Sequence, residues 1–334
     1  MNSNYFSENP RWLLAIILLI SITHIGSAQI NPSDVDDFIR QTAYQQKRAL
    51  TDLETIINQA EFQQGIIEKM NRPAEGSMTW ERYRKIFMTP ERIAVGVDFW
   101  ATNAAILDAV SKETGVAEEA IIGILGVETY FGQRMGNYRV LDALYTLAFG
   151  YPRRASFFKA ELSKFLELCE KEGLDPLVIK GSYAGAMGYG QFMPSSYLAY
   201  AKSYNGNSGA DLMNQTDDAI ASVANYLKVH RWQQGGLVAI PASKSAHAQN
   251  LPKQKVKPTH ALSYYAQKGY EPLKSVDSAE SVSLQVMDME NGSLAYWFAF
   301  HNFYVITRYN HSPLYALAVF QLGEAIKAAR KSTQ

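Results

Sequence analysis

The chain has 334 residues, enough for one large or two ordinary domains, and 47% hydrophobic residues suffice for a sizeable core. Lys plus Arg equals Asp plus Glu at 32 each, so no net charge points to nucleic acid or to an acidic partner. A lone cysteine, Cys169, excludes an intrachain disulfide, and the six His residues lack metal-ligand spacing or a neighbouring nucleophile motif.

Arg11 and Trp12 lead into Leu13-Leu-Ala-Ile-Ile-Leu-Leu-Ile20 and then a small-residue site, Gly26-Ser27-Ala28. That order reads as a secretory signal peptide over 1–28, with the mature chain starting near Gln29. The apolar run is short for a membrane span, and no Cys stands at the cleavage site to carry a lipid. Export to the periplasm as a soluble protein is the expectation.

Residues 29–115 read as an N-terminal helical region that packs on something else. From Asn31 to Asn71 one or two helices are expected, anchored by Phe38, Leu50, Leu53, Ile56 and Ile57. Thr89-Pro90-Glu91 sets a helix start, Thr as N-cap and Pro first, running through Phe99, Trp100 and Ile106 to about Gly115.

In Ile121-Ile-Gly-Ile-Leu-Gly-Val-Glu-Thr-Tyr-Phe-Gly132, residues Ile121, Ile124, Leu125, Glu128 and Phe131 share one helical stripe, with Gly132 as the stop. Glu128 thus points where the core points. Burial disfavours its charged form, the condition for a general acid near neutral pH; a structural ion pair would use the same residue type. Asp142, ahead of the apolar Ala143–Ala148 run, is the candidate second carboxylate of a glycosidase pair, but its place fits an N-cap better.

Tyr151-Pro-Arg-Arg154 starts a long helix to about Gly173. Gly181-Ser-Tyr-Ala-Gly-Ala-Met-Gly-Tyr-Gly190 is too rich in glycine for a helix. It lacks the Lys-Ser/Thr ending of a phosphate loop, so it reads as an ordered loop that lets backbone approach a ligand or helix. A short helix after Gln191, a loop over Asn205–Gly209 and a helix from Asp217 to about Trp232 complete a core at 116–235. Leu237–Ile240, Ser283–Val286 and the Pro/Lys-rich 252–258 stretch suggest a small β-containing insert over 236–290, before a helical return over 291–334 with Pro313 near the start of its last helix.

Taken in order, Gly126–Gly132, Leu141-Asp-Ala-Leu144, Tyr151–Arg154, Gly181–Ser196 with its Gln191-Phe-Met-Pro-Ser-Ser ending, and Asn302-Phe-Tyr-Val-Ile-Thr-Arg-Tyr-Asn310 resemble the lytic murein transglycosylase B family. The likeness runs from about Asp34 to the last helix. It implies a mainly α (α+β) fold: a lysozyme-like catalytic core, an added helical domain and a small β-containing insert. It also implies non-hydrolytic cleavage of the β-1,4 bond between N-acetylmuramic acid and N-acetylglucosamine in peptidoglycan, leaving 1,6-anhydromuramic ends.

By motif, the resemblance implies that Glu128 is the single acid/base, and that Ser182, Tyr189, Gln191, Tyr226, Tyr309, Asn310 and Arg153 bind glycan. Rival readings are a hydrolytic muramidase using Asp142 and a non-catalytic peptidoglycan-binding scaffold. Where relatives carry an acidic calcium-type loop, this chain has Ser203-Tyr-Asn-Gly-Asn-Ser-Gly209, amides in place of the carboxylates that hard cations prefer. No cofactor or metal is therefore expected, Asn205, Asn207 and Asp218 being the weak candidates. The expected partner is the peptidoglycan glycan strand, acted on by a monomer, with cell-wall synthases or other hydrolases as candidate neighbours.

Overall fold

The computed structural model describes residues 30–72, 78–206 and 209–333. The expected signal segment and Asn207 lie outside the described residues.

Three helices open the described chain: α1 (Pro32–Gln46), α2 (Leu50–Ile57) and α3 (Gln64–Asn71). Asn31 caps α1, its side chain accepting from the Ser33 amide, with Pro32 in the first turn. The sequence suggested one or two helices here. The chain breaks between α2 and α3 because Asp142 Oδ1 accepts the Glu61 amide (2.9 Å) and Thr146 Oγ1 the Gln63 amide (2.9 Å). Those two amides are satisfied across the interface instead of within a helix. Next comes α4 (Trp80–Phe87), capped by Thr79, which the sequence reading passed over.

The helix expected over 90–115 is two: α5 (Pro90–Thr102) and α6 (Ala104–Thr114), bent by 79°. Thr89 and Pro90 start α5 as foreseen. Asn103 supplies the break, its side-chain amide donating to the Phe99 carbonyl (2.8 Å) and so closing the last turn of α5. Gly115, at φ +73°, ends α6.

Helix α7 (Glu118–Thr129) is the axis of the molecule. It carries no single stripe: Ile121, Ile122, Ile124 and Leu125 are all fully buried, so neighbours surround it. Truncating any one of these to Ala would cost ~2–5 kcal/mol. The chain continues through β1 (Tyr138–Arg139), α8 (Val140–Gly150), a 3₁₀ turn (Pro152–Arg154), α9 (Ala155–Glu172), β2 (Lys180–Gly181), α10 (Pro194–Tyr200) and α11 (Thr216–Val229), of which α11 packs on α7. Strands β1 and β2 pair antiparallel and open the glycine loop.

Strands β3 (Ala239–Lys244), β4 (His260–Ala261), β5 (Tyr270–Pro272), β6 (Ser281–Asp288) and β7 (Leu294–Ala299), with α12 (Leu262–Ala266), form the insert. The sheet order is β4-β6-β7-β3-β5, antiparallel throughout, over a small core of its own that includes Tyr265, Leu284 and Phe298. One expectation needs correction: the boundary at 290 falls inside the sheet, because β7 pairs with both β6 and β3. The 252–258 stretch is a loop of the insert.

The chain then returns through α13 (His301–Tyr309) to α14 (Pro313–Thr333), which lies along α7. Gly123 permits the contact: a Cβ there would sit 2.3 Å from the Val319 carbonyl oxygen.

Candidate active site

The last turn of α7 carries Glu128, half-buried, and the chain leaves that turn abruptly. Tyr130, Phe131 and Gly132 have φ values of +54°, +59° and +88°. The helix therefore stops at Thr129, before the expected Gly132, and Phe131 lies beyond the helix with its ring turned into the core against Gly96 and Gly126. Two non-glycine residues in this region cost strain, which the surroundings must over-determine. Thr129 Oγ1 accepts from the Gly132 amide (2.9 Å) and donates to the Tyr189 carbonyl (2.7 Å), while the Arg134 amide returns to the Thr129 carbonyl (2.8 Å). Arg92, buried, donates to the Gly126 carbonyl (2.8 Å), placing a cation at the negative end of α7. Burial, and then repulsion from Arg134, pull its pKa down.

Glu128 meets a residue that the sequence reading missed. Tyr315, 2% exposed in the first turn of α14, donates its hydroxyl to Glu128 Oε1 at 2.6 Å. Burial, reinforced by the Glu128 charge, raises the Tyr315 phenol well above its ordinary value, so it stays a neutral donor. Asn310 helps set this geometry: its Oδ1 accepts from the Ser312 amide (3.2 Å), and Ser312 Oγ accepts from the Tyr315 amide (3.4 Å). Asn310 and Pro313 were the legible signals that a helix, and hence Tyr315, begins here.

Behind the carboxyl stands an aromatic wall. The Tyr309 hydroxyl donates to the Gly190 carbonyl and the Tyr226 hydroxyl to the Arg308 carbonyl, with the two rings 4.8 Å apart. Tyr226, placed on the cleft by motif, is buried, with His230 stacked on its ring at 4.1 Å. Burial first, and then the Glu128 charge, raise the Tyr309 phenol well above its usual range.

Tyr309 thereby ties the glycine loop to the site. Within that loop Ser182 Oγ accepts from the Ala186 amide (3.0 Å), and Gln191, at φ +50°, donates its amide to the Met135 and Gly188 carbonyls (3.0 Å each). Tyr189 lies under Gly132, where any Cβ would come 2.0 Å from its ring. Ser182, Tyr189, Gln191, Tyr226, Tyr309 and Asn310 therefore belong to one connected frame around Glu128. Arg153, exposed on the 3₁₀ turn, joins none of these contacts.

Three carboxylates are buried among the described residues, Asp142, Glu161 and Asp218, and each accepts at least two hydrogen bonds. Asp142 is not an N-cap, since Arg139 holds that position. It takes both arms of Arg139 (2.6 and 2.8 Å), the Glu61 amide and the Gln63 side chain, and this pairing raises the Arg139 pKa. Glu161 accepts from the Ser195 amide and hydroxyl, and Asp218 from the Tyr204 and Asp211 amides. Asp218 thus braces a loop, and Asn205 is exposed on it. Among the described residues no three His, Cys, Asp or Glu cluster as metal ligands.

Residues 31–324 match the family model described as "Transglycosylase SLT domain". The chain belongs to the transglycosylase SLT family. It is 40% identical over 319 residues to membrane-bound lytic murein transglycosylase B of Escherichia coli K12, covering 93% of this chain and 87% of that one. The E. coli lytic transglycosylase Slt35 in complex with bulgecin A superposes with a TM-score of 0.83 at 42% identity, over 90% of this chain and 94% of the other. SltB3 from Pseudomonas aeruginosa in complex with NAG-anhNAM-pentapeptide gives 0.78 at 28%, over 88% and 79%. This transglycosylase shares their lysozyme-like, mainly α architecture with a small sheet, and it is an enzyme. No single helix among the described residues is long and apolar enough to cross a membrane.

Proposed function

We propose that this transglycosylase cleaves the β-1,4 bond between N-acetylmuramic acid and N-acetylglucosamine in peptidoglycan without water, with Glu128 as its single acid and base. Glu128 gives its proton to the glycosidic oxygen as the C1–O bond breaks. The carboxylate then takes the proton of the muramyl C6 hydroxyl, whose oxygen attacks C1 and closes the 1,6-anhydro ring. Atoms balance with neither water nor a protein nucleophile. Tyr315, neutral and fixed, orients the carboxyl through both steps.

The observation that carries this reading is the contrast among carboxylates. Glu128 meets a phenol, whereas Asp142 is locked to a guanidinium, the Glu61 backbone amide and the Gln63 side-chain amide. A two-carboxylate hydrolase needs a second group able to activate water or attack C1, and Asp142 is engaged on both oxygens. The similarity to a lytic murein transglycosylase of E. coli and to a Pseudomonas protein in complex with NAG-anhNAM-pentapeptide supports this reading. In the same reading Ser182, Tyr189, Gln191, Tyr309 and Asn310 line the glycan cleft with Tyr226 behind them, Arg153 lies further along the strand, and the 1–28 segment directs export to the periplasm. Mass spectrometry of products released from purified sacculi tests the chemistry: anhydro ends are expected, and reducing muramic ends would refute it.

A further inference from the structure

The floor beside the site extends beyond the residues already assigned to it. Antiparallel bridges join Gly181 to Met187 and Met187 to Phe192, and β1 sets Tyr138 opposite Gly181. The segments thus lie side by side in the order Tyr138, Gly181, Met187, Phe192. At one edge Phe192 packs on Tyr309, ring centroids 5.7 Å apart, in the wall behind Glu128. Tyr138 stands at the other edge, three strand spacings or about 14 Å away. Ser182 closes a tight turn next to it: its carbonyl accepts from the Gly185 amide (3.0 Å) and its amide donates to the Ala186 carbonyl (2.8 Å), which leaves Tyr183 at the tip, 38% exposed. The rings of Tyr138 and Tyr183 meet edge to face, centroids 6.5 Å apart. Lys69, exposed on α3, lies 4.6 Å from the centre of the Tyr138 ring and donates to the Tyr138 hydroxyl. Among the described residues no ion pair includes Lys69.

We infer that Lys69, Tyr138 and Tyr183 form a distal subsite for the peptidoglycan strand, Tyr183 taking a sugar ring and Lys69 a carboxylate that the strand carries away from the bond at Glu128. An open phenol ring pairs an apolar body with a polar tip, which suits the apolar face and hydroxyls of a sugar. An ammonium has three donors, and Tyr138 takes one of them here, so the others remain for a carboxylate. Tyr138 fixes both partners, since its ring meets Tyr183 and its hydroxyl holds Lys69. The inference rests on the glycan reading of the Glu128 site and adds a preference to it. A neutral polymer of the same sugar linkage would meet Tyr183 but give Lys69 no counter-charge.

The test reads binding instead of cleavage, by calorimetry at low ionic strength, in the full chain carrying Glu128→Gln. Its probes are uncrosslinked peptidoglycan strands with their peptides, the same strands stripped by an amidase, which keep only the lactyl carboxylate, and chitohexaose, which has no carboxylate. Adding Lys69→Gln should weaken strand binding about two- to fivefold and leave chitohexaose unchanged, and Lys69→Arg should restore it. A loss confined to intact strands assigns the carboxylate to the peptide, and a loss on stripped strands assigns it to the lactyl group. Tyr183→Ala should weaken all three probes about tenfold. Strand affinities unchanged by Lys69→Gln and Tyr183→Ala, or an equal loss for chitohexaose in Lys69→Gln, would overturn the inference. So would a Lys69→Gln chain that melts lower yet binds strands normally, which would make the Lys69–Tyr138 contact a brace between α3 and the core. Failure of the Glu128→Gln parent to bind any probe would instead overturn the glycan reading itself.

Discussion

Two carboxylates, fourteen positions apart in the chain, end up in opposite chemical situations. Asp142, on the first turn of α8, meets Arg139 and two further donors reaching back from 61–63; Glu128, on the last turn of α7, meets the hydroxyl of Tyr315. The Arg139 guanidinium and two amides engage both oxygens of Asp142, whereas the Tyr315 phenol donates to one oxygen of Glu128. Burial alone therefore does not tell the two carboxylates apart; their partners do.

Breaking the Glu128 side of this contrast has the largest expected effect. Glu128→Gln keeps the shape and an acceptor for Tyr315 but cannot transfer a proton. Turnover of sacculi should fall ~10²–10⁴-fold, while glycan pull-down is retained. Tyr315→Phe comes next: losing one net hydrogen bond of ~1–1.5 kcal/mol should lower turnover about tenfold, with the melting midpoint little changed. A Tyr315→Phe enzyme of full activity would show that the carboxyl needs no such anchor.

The Asp142 side should break differently. Asp142→Asn weakens the Arg139 pair, which is partly open to solvent, and its backbone contacts, at a cost of ~1–2 kcal/mol. Urea unfolding should report that loss, and activity per folded molecule should stay near normal. Inactivity in a variant of unchanged stability would instead restore Asp142 as a second catalytic carboxylate.

The smallest effect separates the aromatic wall from both acids. Burial raises the phenols of Tyr226, Tyr309 and Tyr315, and it pushes Tyr197, buried on α10 with its hydroxyl on the Ala210 carbonyl, up to about 12. Above pH ~10 the unfolded chain releases phenolic protons that the folded chain keeps. Stability from these groups is thus complete below about pH 10 and declines as pH rises through their folded values. The urea midpoint should fall steadily between about pH 10 and 12, and a flat midpoint there would mean that these phenols are solvated.

How far the chain could be read without its fold follows the same division between local and distant partners. Local chemistry was legible: Thr89-Pro90 as a helix start, Gly173 as a helix stop, the glycine loop, and Glu128 in an apolar run. What failed depended on contacts remote in sequence. The split between α2 and α3 is made by Asp142 and Thr146, some eighty residues away. Tyr315 lies 187 positions from the carboxyl that it holds. The helix stop at Tyr130 was missed because two non-glycine residues adopt left-handed backbone, which only Thr129, Tyr189 and the Phe131 packing make tolerable. The packing of Tyr226 against the ring of Tyr309 likewise joins residues that no local pattern connects.

The central claim, that one carboxyl suffices because the substrate supplies its own nucleophile, is tested most directly by digestion of sacculi in ¹⁸O-water. The expected products end in 1,6-anhydromuramic acid and carry no solvent oxygen. Reducing ends labelled with ¹⁸O would mean that water attacks C1, and Glu128 would then be only half of a hydrolytic pair.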